Sequence, residues 1–399
     1  MNQNRDHGDK RVGVALTSEG VCSIQTRSNL RNRGSDSGKY IPSLDGWRAI
    51  AILWVIISHN QLWQVGRFND IWLKNTGDRG VQLFFALSGI LICSRLLQED
   101  RRLGSISLRS FYIRRVFRIQ PAALLYLAIV ALLISLRILS DSWKGPLGAA
   151  LMIRNYWPAA IGEGYWYSGH YWSLAVEEHF YLFLPGFLLL CRRRRLPIMV
   201  ALVACAEFWR IIVMRTPHLQ HIGADLFQRT DTTIGGIFLG SVFAIALEHQ
   251  RLLRFAEMYL RPWLALLYAA AVFIALVLHH TTYYHVGLIT VYPVVITATM
   301  LHPASLSTRF LELAPVRFVG RISYSLYLWQ QMFFNDLHRA ASHSILNYPL
   351  LCWLGAFACA IASYYLIETP FIRIGHRLAK RAAPGHTLSV ANVAGGVST

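Results

Sequence analysis

The feature that most constrains this chain is a succession of apolar runs, each about 20 residues long, the length that crosses a bilayer as a helix. Lipid offers the backbone no hydrogen-bonding partner, so runs of this kind must satisfy their own N–H and C=O groups and read as helices. A soluble domain carries about 25% charged residues. Here 15% are charged and 54% hydrophobic, which excludes an ordinary soluble globular fold. The expected fold is an all-α polytopic membrane bundle.

The net charge of +18 would point to nucleic acid in a soluble protein. In this chain the basic residues sit in the breaks between apolar runs and in the two tails, the pattern of the positive-inside rule near anionic headgroups. Membrane lipids are therefore the expected partners, and nucleic acid is not. Apolar runs fall at 44–65, 80–97, 121–138, 172–190, 197–213, 232–247, 263–278, 286–301, 318–334 and 350–367. Starting inside, about ten transmembrane helices return the chain inside, so both termini are expected in the cytoplasm. Arg192-Arg193-Arg194-Arg195 and the other strongly basic breaks then fall on the inner side. The third run is expected to begin at Pro121, in a first helical turn where a missing N–H is harmless. Residues 139–169, rich in Trp and Tyr, suit an interfacial element on the outer face. Residues 1–39 are expected to be a disordered cytoplasmic tail, 40–375 the membrane domain, and 376–399 a basic disordered cytoplasmic tail. The six cysteines form no CxxC pair and read as small buried hydrophobes.

Ionisable groups within membrane helices are costly, and each is a functional candidate. Arg48 and His59 lie 11 residues apart in the first run, nearly on one face and separated by ~16 Å along a helix axis. A neutral imidazole at depth can accept a proton from an attacking hydroxyl; an interhelical hydrogen bond is the plainer role. Arg115 and Arg118 share a helix face at the mouth of the third run. Two forked guanidiniums suit phosphate recognition, and simple charge anchoring is the alternative. Glu177 and Glu178 open the fourth run. One of them orients His59, binds an acceptor hydroxyl, or forms an ion pair. Ser88-Gly89 reads as a packing motif, since small residues let helices approach closely and no nucleophile elbow surrounds the serine. His279, His280 and His285 match no metal spacing, and no metal site is expected. No P-loop or dinucleotide fingerprint is present.

Six ordered stretches resemble the acyltransferase 3 family, the bacterial membrane O-acyltransferases of surface polysaccharides. They are Ser43-Leu-Asp-Gly-Trp-Arg48 with His59, an R-x10-H pattern; Phe84-Phe85-Ala-Leu-Ser88-Gly89; Arg115-Val-Phe-Arg118; Trp172-Ser-Leu through Tyr181; Ile322-Ser-Tyr-Ser-Leu-Tyr-Leu-Trp329; and Ile367-Glu-Thr-Pro370. The resemblance covers about residues 40–375. It implies a multi-pass protein of the bacterial cytoplasmic membrane that moves an acyl group, most often acetyl, from cytoplasmic acyl-CoA to a hydroxyl of an extracytoplasmic carbohydrate, free or lipid-linked. Acyl-CoA is then a co-substrate, and no cofactor is permanently bound. The resemblance makes His59 the base or transient acyl carrier, with Arg48 and Glu177 beside it in the catalytic set. Arg115 and Arg118 become coenzyme A phosphate ligands. Where the family usually carries a histidine after Tyr-Leu-Trp, this chain has Gln330, a tuning position. Larger members append an extracytoplasmic hydrolase-like domain; this sequence stops soon after its last apolar run, and transfer is expected to finish in the membrane module or with a partner. The rival readings are a transporter, disfavoured by the lack of inverted repeats, and an acyltransferase for a small hydroxylated metabolite.

Overall fold

The computed structural model describes residues 40–59, 76–156, 166–220, 226–279, 284–334 and 348–382. Nearly all of them lie in the compact unit that begins at Ile41. Every regular element among them is helical. In chain order these are α1 (Pro42–His59), α2 (Thr76–Leu103), α3 (Leu108–Ser135), α4 (Lys144–Ala150), α5 (Trp166–Gly169), α6 (Tyr171–Leu190), α7 (Arg195–Arg215), α8 (Pro217–Gln220), α9 (Thr230–Thr233), α10 (Gly235–Ala246), α11 (Gln250–Tyr259), α12 (Pro262–His279), α13 (Tyr284–Leu301), α14 (Leu306–Leu311), α15 (Ala314–Arg321), α16 (Ser323–Phe333) and α17 (Pro349–Ser363). A π-helical turn, Tyr364–Glu368, then leads into α18 (Thr369–Arg381).

Five stretches among the described residues are long and apolar enough to cross a membrane: Thr76–Leu103, Leu108–Ser135, Trp166–Leu190, Arg195–Arg215 and Leu350–Arg381. The pair Gln250–Tyr259 and Pro262–Ile274 is long and apolar enough only when taken together and is bent by 78°, a broken span or a re-entrant loop, and Gly235–Ala246 and Gly287–Leu301 are shorter apolar helices. Large apolar side chains such as Leu124, Leu132, Leu182, Phe208, Leu266 and Leu354 stand exposed on these helices, the outer surface that lipid requires. The chain is a multi-pass helical membrane protein.

The apolar runs and the helices differ in instructive ways. Pro121 does not open the third span. It lies inside α3, which starts at Leu108 with Ser107 as N-cap, its hydroxyl accepting from the Ser110 N–H. The cap sets the start, and the proline costs one backbone bond, that of the Phe117 carbonyl. Arg115 and Arg118 are thus on the same rigid helix as the span. The run at 232–247 is divided at Ile234 into α9 and α10, and the run at 318–334 is divided at Ile322 into α15 and α16. In the last run, Pro370 has no N–H for the carbonyl of Leu366, and the backbone widens into the π turn just before it. The helix then continues to Arg381, past residue 376, where a disordered tail was expected to begin.

Close helix contacts fix the bundle. A Cβ on Gly89 of α2 would come within 3.1 Å of the Gly240 Cα and 3.0 Å of the Ser241 nitrogen of α10, so backbones touch there and the Ser-Gly motif packs as read. Gly320 of α15 rests on the Asp45 carbonyl of α1 in the same way. The core between helices is aromatic and aliphatic: Phe85, Tyr126, Tyr171, Phe180 and Leu184 are fully buried. The four-arginine turn between α6 and α7 does more than carry charge. Arg192 and Arg195 both bind Asp100 at the end of α2, Arg195 at 2.6 Å, and Arg195 also donates to the Leu188 carbonyl at the end of α6. Cys93 and Cys352 are buried as expected, whereas Cys205 is exposed on α7. The Trp157 and Tyr165 side chains and the histidines at 279, 280 and 285 lie outside the described side chains.

Candidate active site

Seven elements converge on one cavity. α1 contributes Arg48, α2 Ser88, α3 Arg115 and Arg118, α6 Glu177 and Tyr181, α16 Tyr327, and the π turn Glu368. Arg321, the last residue of α15, also reaches the wall. The remaining wall is apolar, including Phe84, Phe85, Leu87, Leu91 and Ile119. Four arginines face two glutamates across it, so the cavity is cationic with an apolar body. Arg95 lies within electrostatic reach of Arg118, Arg48 and Arg115 and adds to the field.

Helical spacing explains how each side chain arrives. Arg115 and Arg118, three residues apart, share one face of α3, while Arg114 turns away to bind Glu99 at 3.1 Å. Glu177 and Tyr181, four apart, share one face of α6. The Glu177 carboxylate accepts from Ser88 Oγ at 2.9 Å on one oxygen and from Tyr181 OH at 2.5 Å on the other. The Arg115 guanidinium lies over the Tyr181 ring, 3.9 Å from its centroid. Arg48 has only a loose ion pair with Asp45, at 3.9 Å. Arg118 makes no hydrogen bond or ion pair among the described residues. Cations held this loosely in a half-apolar cavity can bind an anionic group carrying an apolar chain.

The structure brings Arg48, Arg115, Arg118 and Glu177 together and sets His59 apart. His59, the last residue of α1, is not part of the cavity wall. Its Nδ1 is 2.9 Å from Gln330 Oε1, and its ring meets Trp166 edge-on with centroids 5.8 Å apart. Gln330 stands three residues beyond the wall residue Tyr327 on α16, about one helical turn. Tyr327 OH in turn donates to the His170 carbonyl at 3.0 Å and pairs with Ser173 Oγ at 2.6 Å. Glu178 is absent from the wall.

Several wall residues escaped the sequence reading. Ser88 was expected to be structural only, yet it holds the carboxylate. Tyr181 was legible in principle, because its i+4 spacing from Glu177 puts both on one face. Glu368 is aimed inward by a π turn that only Pro370 hints at, and its Oε2 accepts from Ser325 at 2.9 Å. His170 had no signal: it is buried against Tyr126, Tyr171 and Tyr327, and neither ring nitrogen has a hydrogen-bond partner among the described residues.

Fold and site together define a multi-pass membrane protein whose helices enclose a cationic, half-apolar ligand cavity. The chain belongs to the acyltransferase 3 family, whose profile, described as an acyltransferase domain, matches residues 41–368. It is 30% identical over 370 residues to “Putative O-acetyltransferase SACOL0978” of Staphylococcus aureus (strain COL), covering 84% of this chain and 58% of that one. It is 27% identical over 381 residues to O-acetyltransferase OatA of Staphylococcus aureus (strain NCTC 8325 / PS 47), covering 89% of this chain and 61% of that one. The chain thus spans about three fifths of the length of these relatives. No solved structure matches.

Proposed function

We propose that this chain is an O-acyltransferase of the bacterial cytoplasmic membrane that takes an acyl group, acetyl first among candidates, from cytoplasmic acyl-CoA. The acceptor is a hydroxyl on an extracytoplasmic carbohydrate, free or lipid-linked. In this reading the chain makes about ten crossings with both ends in the cytoplasm. The observation that carries the proposal is the convergence of Arg48, Arg115 and Arg118 on one apolar-walled cavity with a held carboxylate. The O-acetyltransferase names of the staphylococcal relatives support the acetyl donor and an oxygen acceptor.

In this mechanism Arg115 and Arg118 bind the coenzyme A phosphates, a match for forked guanidinium donors. The apolar walls take the pantetheine arm, and the thioester reaches into the helix bundle past Arg48 toward His59. His59 removes the proton of the acceptor hydroxyl, or carries the acyl group between two steps. Glu177, fixed by Ser88 and Tyr181, orients the acceptor. The test is to follow label from radiolabelled acetyl-CoA into the cell-envelope glycan fraction with wild type and His59→Ala. Label with wild type and none with a correctly inserted variant is the expected result; undiminished transfer by His59→Ala sinks the mechanism. Arg118→Ala is expected to raise the apparent KM for acetyl-CoA, and an unchanged value removes its role as a phosphate ligand.

A further inference from the structure

His59 ends a directed chain of hydrogen bonds. Gln330 and Gln331 of α16 are both buried. Gln330 Nε2 donates to Gln331 Oε1 at 2.9 Å, and Gln331 Nε2 donates to the backbone carbonyl of Trp166 at 3.1 Å. The Trp166 indole returns a bond to the Gln331 carbonyl at 3.0 Å, which fixes the ring that His59 packs against. At the other end, Gln330 Oε1 faces His59 Nδ1 at 2.9 Å.

The direction of this chain is set at its far end. A backbone carbonyl can only accept, so Gln331 must turn its amide nitrogen toward Trp166. Its Oε1 is then left facing Gln330, which must present its own nitrogen there. Gln330 consequently presents Oε1 to the imidazole. A pure acceptor opposite Nδ1 calls for a proton on Nδ1, and in a neutral imidazole this leaves the lone pair on Nε2. Nε2 has no hydrogen-bond partner among the described residues.

We propose that Gln330 and Gln331 are positioning residues that hold His59 in its Nδ1–H tautomer, so that Nε2 is the atom that acts in acyl transfer. The assignment of His59 to the reaction rests on the function proposed above; the tautomer does not. In the direct route, Nε2 takes the proton of the acceptor hydroxyl as its oxygen attacks the thioester carbonyl. A C–O bond forms, the C–S bond breaks, and the proton passes from Nε2 to the departing thiolate. Nδ1 keeps its proton throughout, bonded to Gln330.

The test uses the full chain in lipid bilayers with ¹⁵N-labelled histidine, and His59→Ala to identify the His59 resonances. The unprotonated imidazole nitrogen resonates far downfield of the protonated one. The expected spectrum has the downfield nitrogen at Nε2; a downfield Nδ1 in wild type overturns the proposal. Gln330→Met removes the acceptor at similar volume. It is expected to mix the two tautomers and to slow transfer about tenfold or more, part of the roughly 100- to 10,000-fold that a positioned general base contributes, with the KM for acetyl-CoA changed less than about twofold. Gln330→Glu restores an acceptor and is expected to recover rate relative to Gln330→Met. Gln331→Met, which frees Gln330 to turn over, gives the same mixing without touching the partner of His59. Wild-type transfer by Gln330→Met beside an inactive His59→Ala overturns the positioning role and leaves the proposed function standing. Wild-type transfer by His59→Ala overturns the part of Nε2 in transfer and leaves the acyltransferase function standing, while the spectrum still decides the tautomer.

Discussion

Tyr181 serves two neighbours with two parts of one side chain. Its hydroxyl holds Glu177 and its ring seats Arg115. A hydrogen bond to a charged group is worth about 1.5–3 kcal/mol, and a desolvated cation–π contact about 2 kcal/mol or more. The two substitutions separate them. Tyr181→Phe keeps the ring and frees the carboxylate, so the transfer rate should fall about tenfold while the KM for acetyl-CoA stays within about twofold. Tyr181→Leu removes the seat as well, and the KM should rise. Steady-state kinetics on both variants decide it; an equal rise in KM would show that the ring is not what positions Arg115. Arg48, Arg115, Arg118 and Glu177 were legible because an ionised group in a membrane helix stands out against apolar neighbours. Ser88 and Tyr181 did not stand out, since hydroxyls are common in membrane helices and acquire meaning only from the carboxylate they face. Gln330 was flagged by its departure from a family pattern, yet the acceptor chain behind it depends on Gln331 and on a backbone carbonyl of α5, distant in sequence.

At the level of elements, apolar runs mark where a helix crosses but not where it starts or breaks. Ser107 starts α3 well before the apolar run, and Pro121 passes without ending it, because a cap outweighs one missing N–H. The breaks at Ile234 and Ile322 carry no proline, and each divides a stretch that reads as one apolar run. The arginine run after α6 was legible as positive charge; its clamp on Asp100 was not, since Asp100 lies on α2, far away in sequence. Arg192 and Arg195 converge on that buried carboxylate and tie the end of α2 to the α6–α7 turn. Asp100→Ala leaves two guanidiniums without their partner, and should cost about 1–2 kcal/mol of stability. Arg193→Ala, at an exposed position in the same turn, should stay within about 0.5 kcal/mol. Thermal unfolding in detergent compares the two, and equal midpoints would mean that the clamp contributes only charge.

For the molecule as a whole, the pattern of charge and the position of the cavity make one joint demand. On the function proposed above, the arginine turn at 192–195 and the mouth of α3 at Arg109 and Arg114 face the compartment that supplies acyl-CoA, because Arg115 and Arg118 lie on the first turns of the same helix. On the same reading α3 carries the chain across, and Trp143, exposed just before α4, is expected on the opposite side. Sequence alone supports this orientation through the positive-inside rule, but it overstates regularity: a run of 16 or so apolar residues reads the same whether it is one straight span or two helices, as at Ile234 and Ile322. The prediction is made with the six native cysteines replaced. A membrane-impermeant thiol reagent added to intact cells should label Trp143→Cys and should reach Arg193→Cys only after the membrane is opened. Labelling of Arg193→Cys in intact cells would put the arginine cavity mouth outside, away from any cytoplasmic thioester, and the acyl-CoA reading of the cavity would fall with the topology.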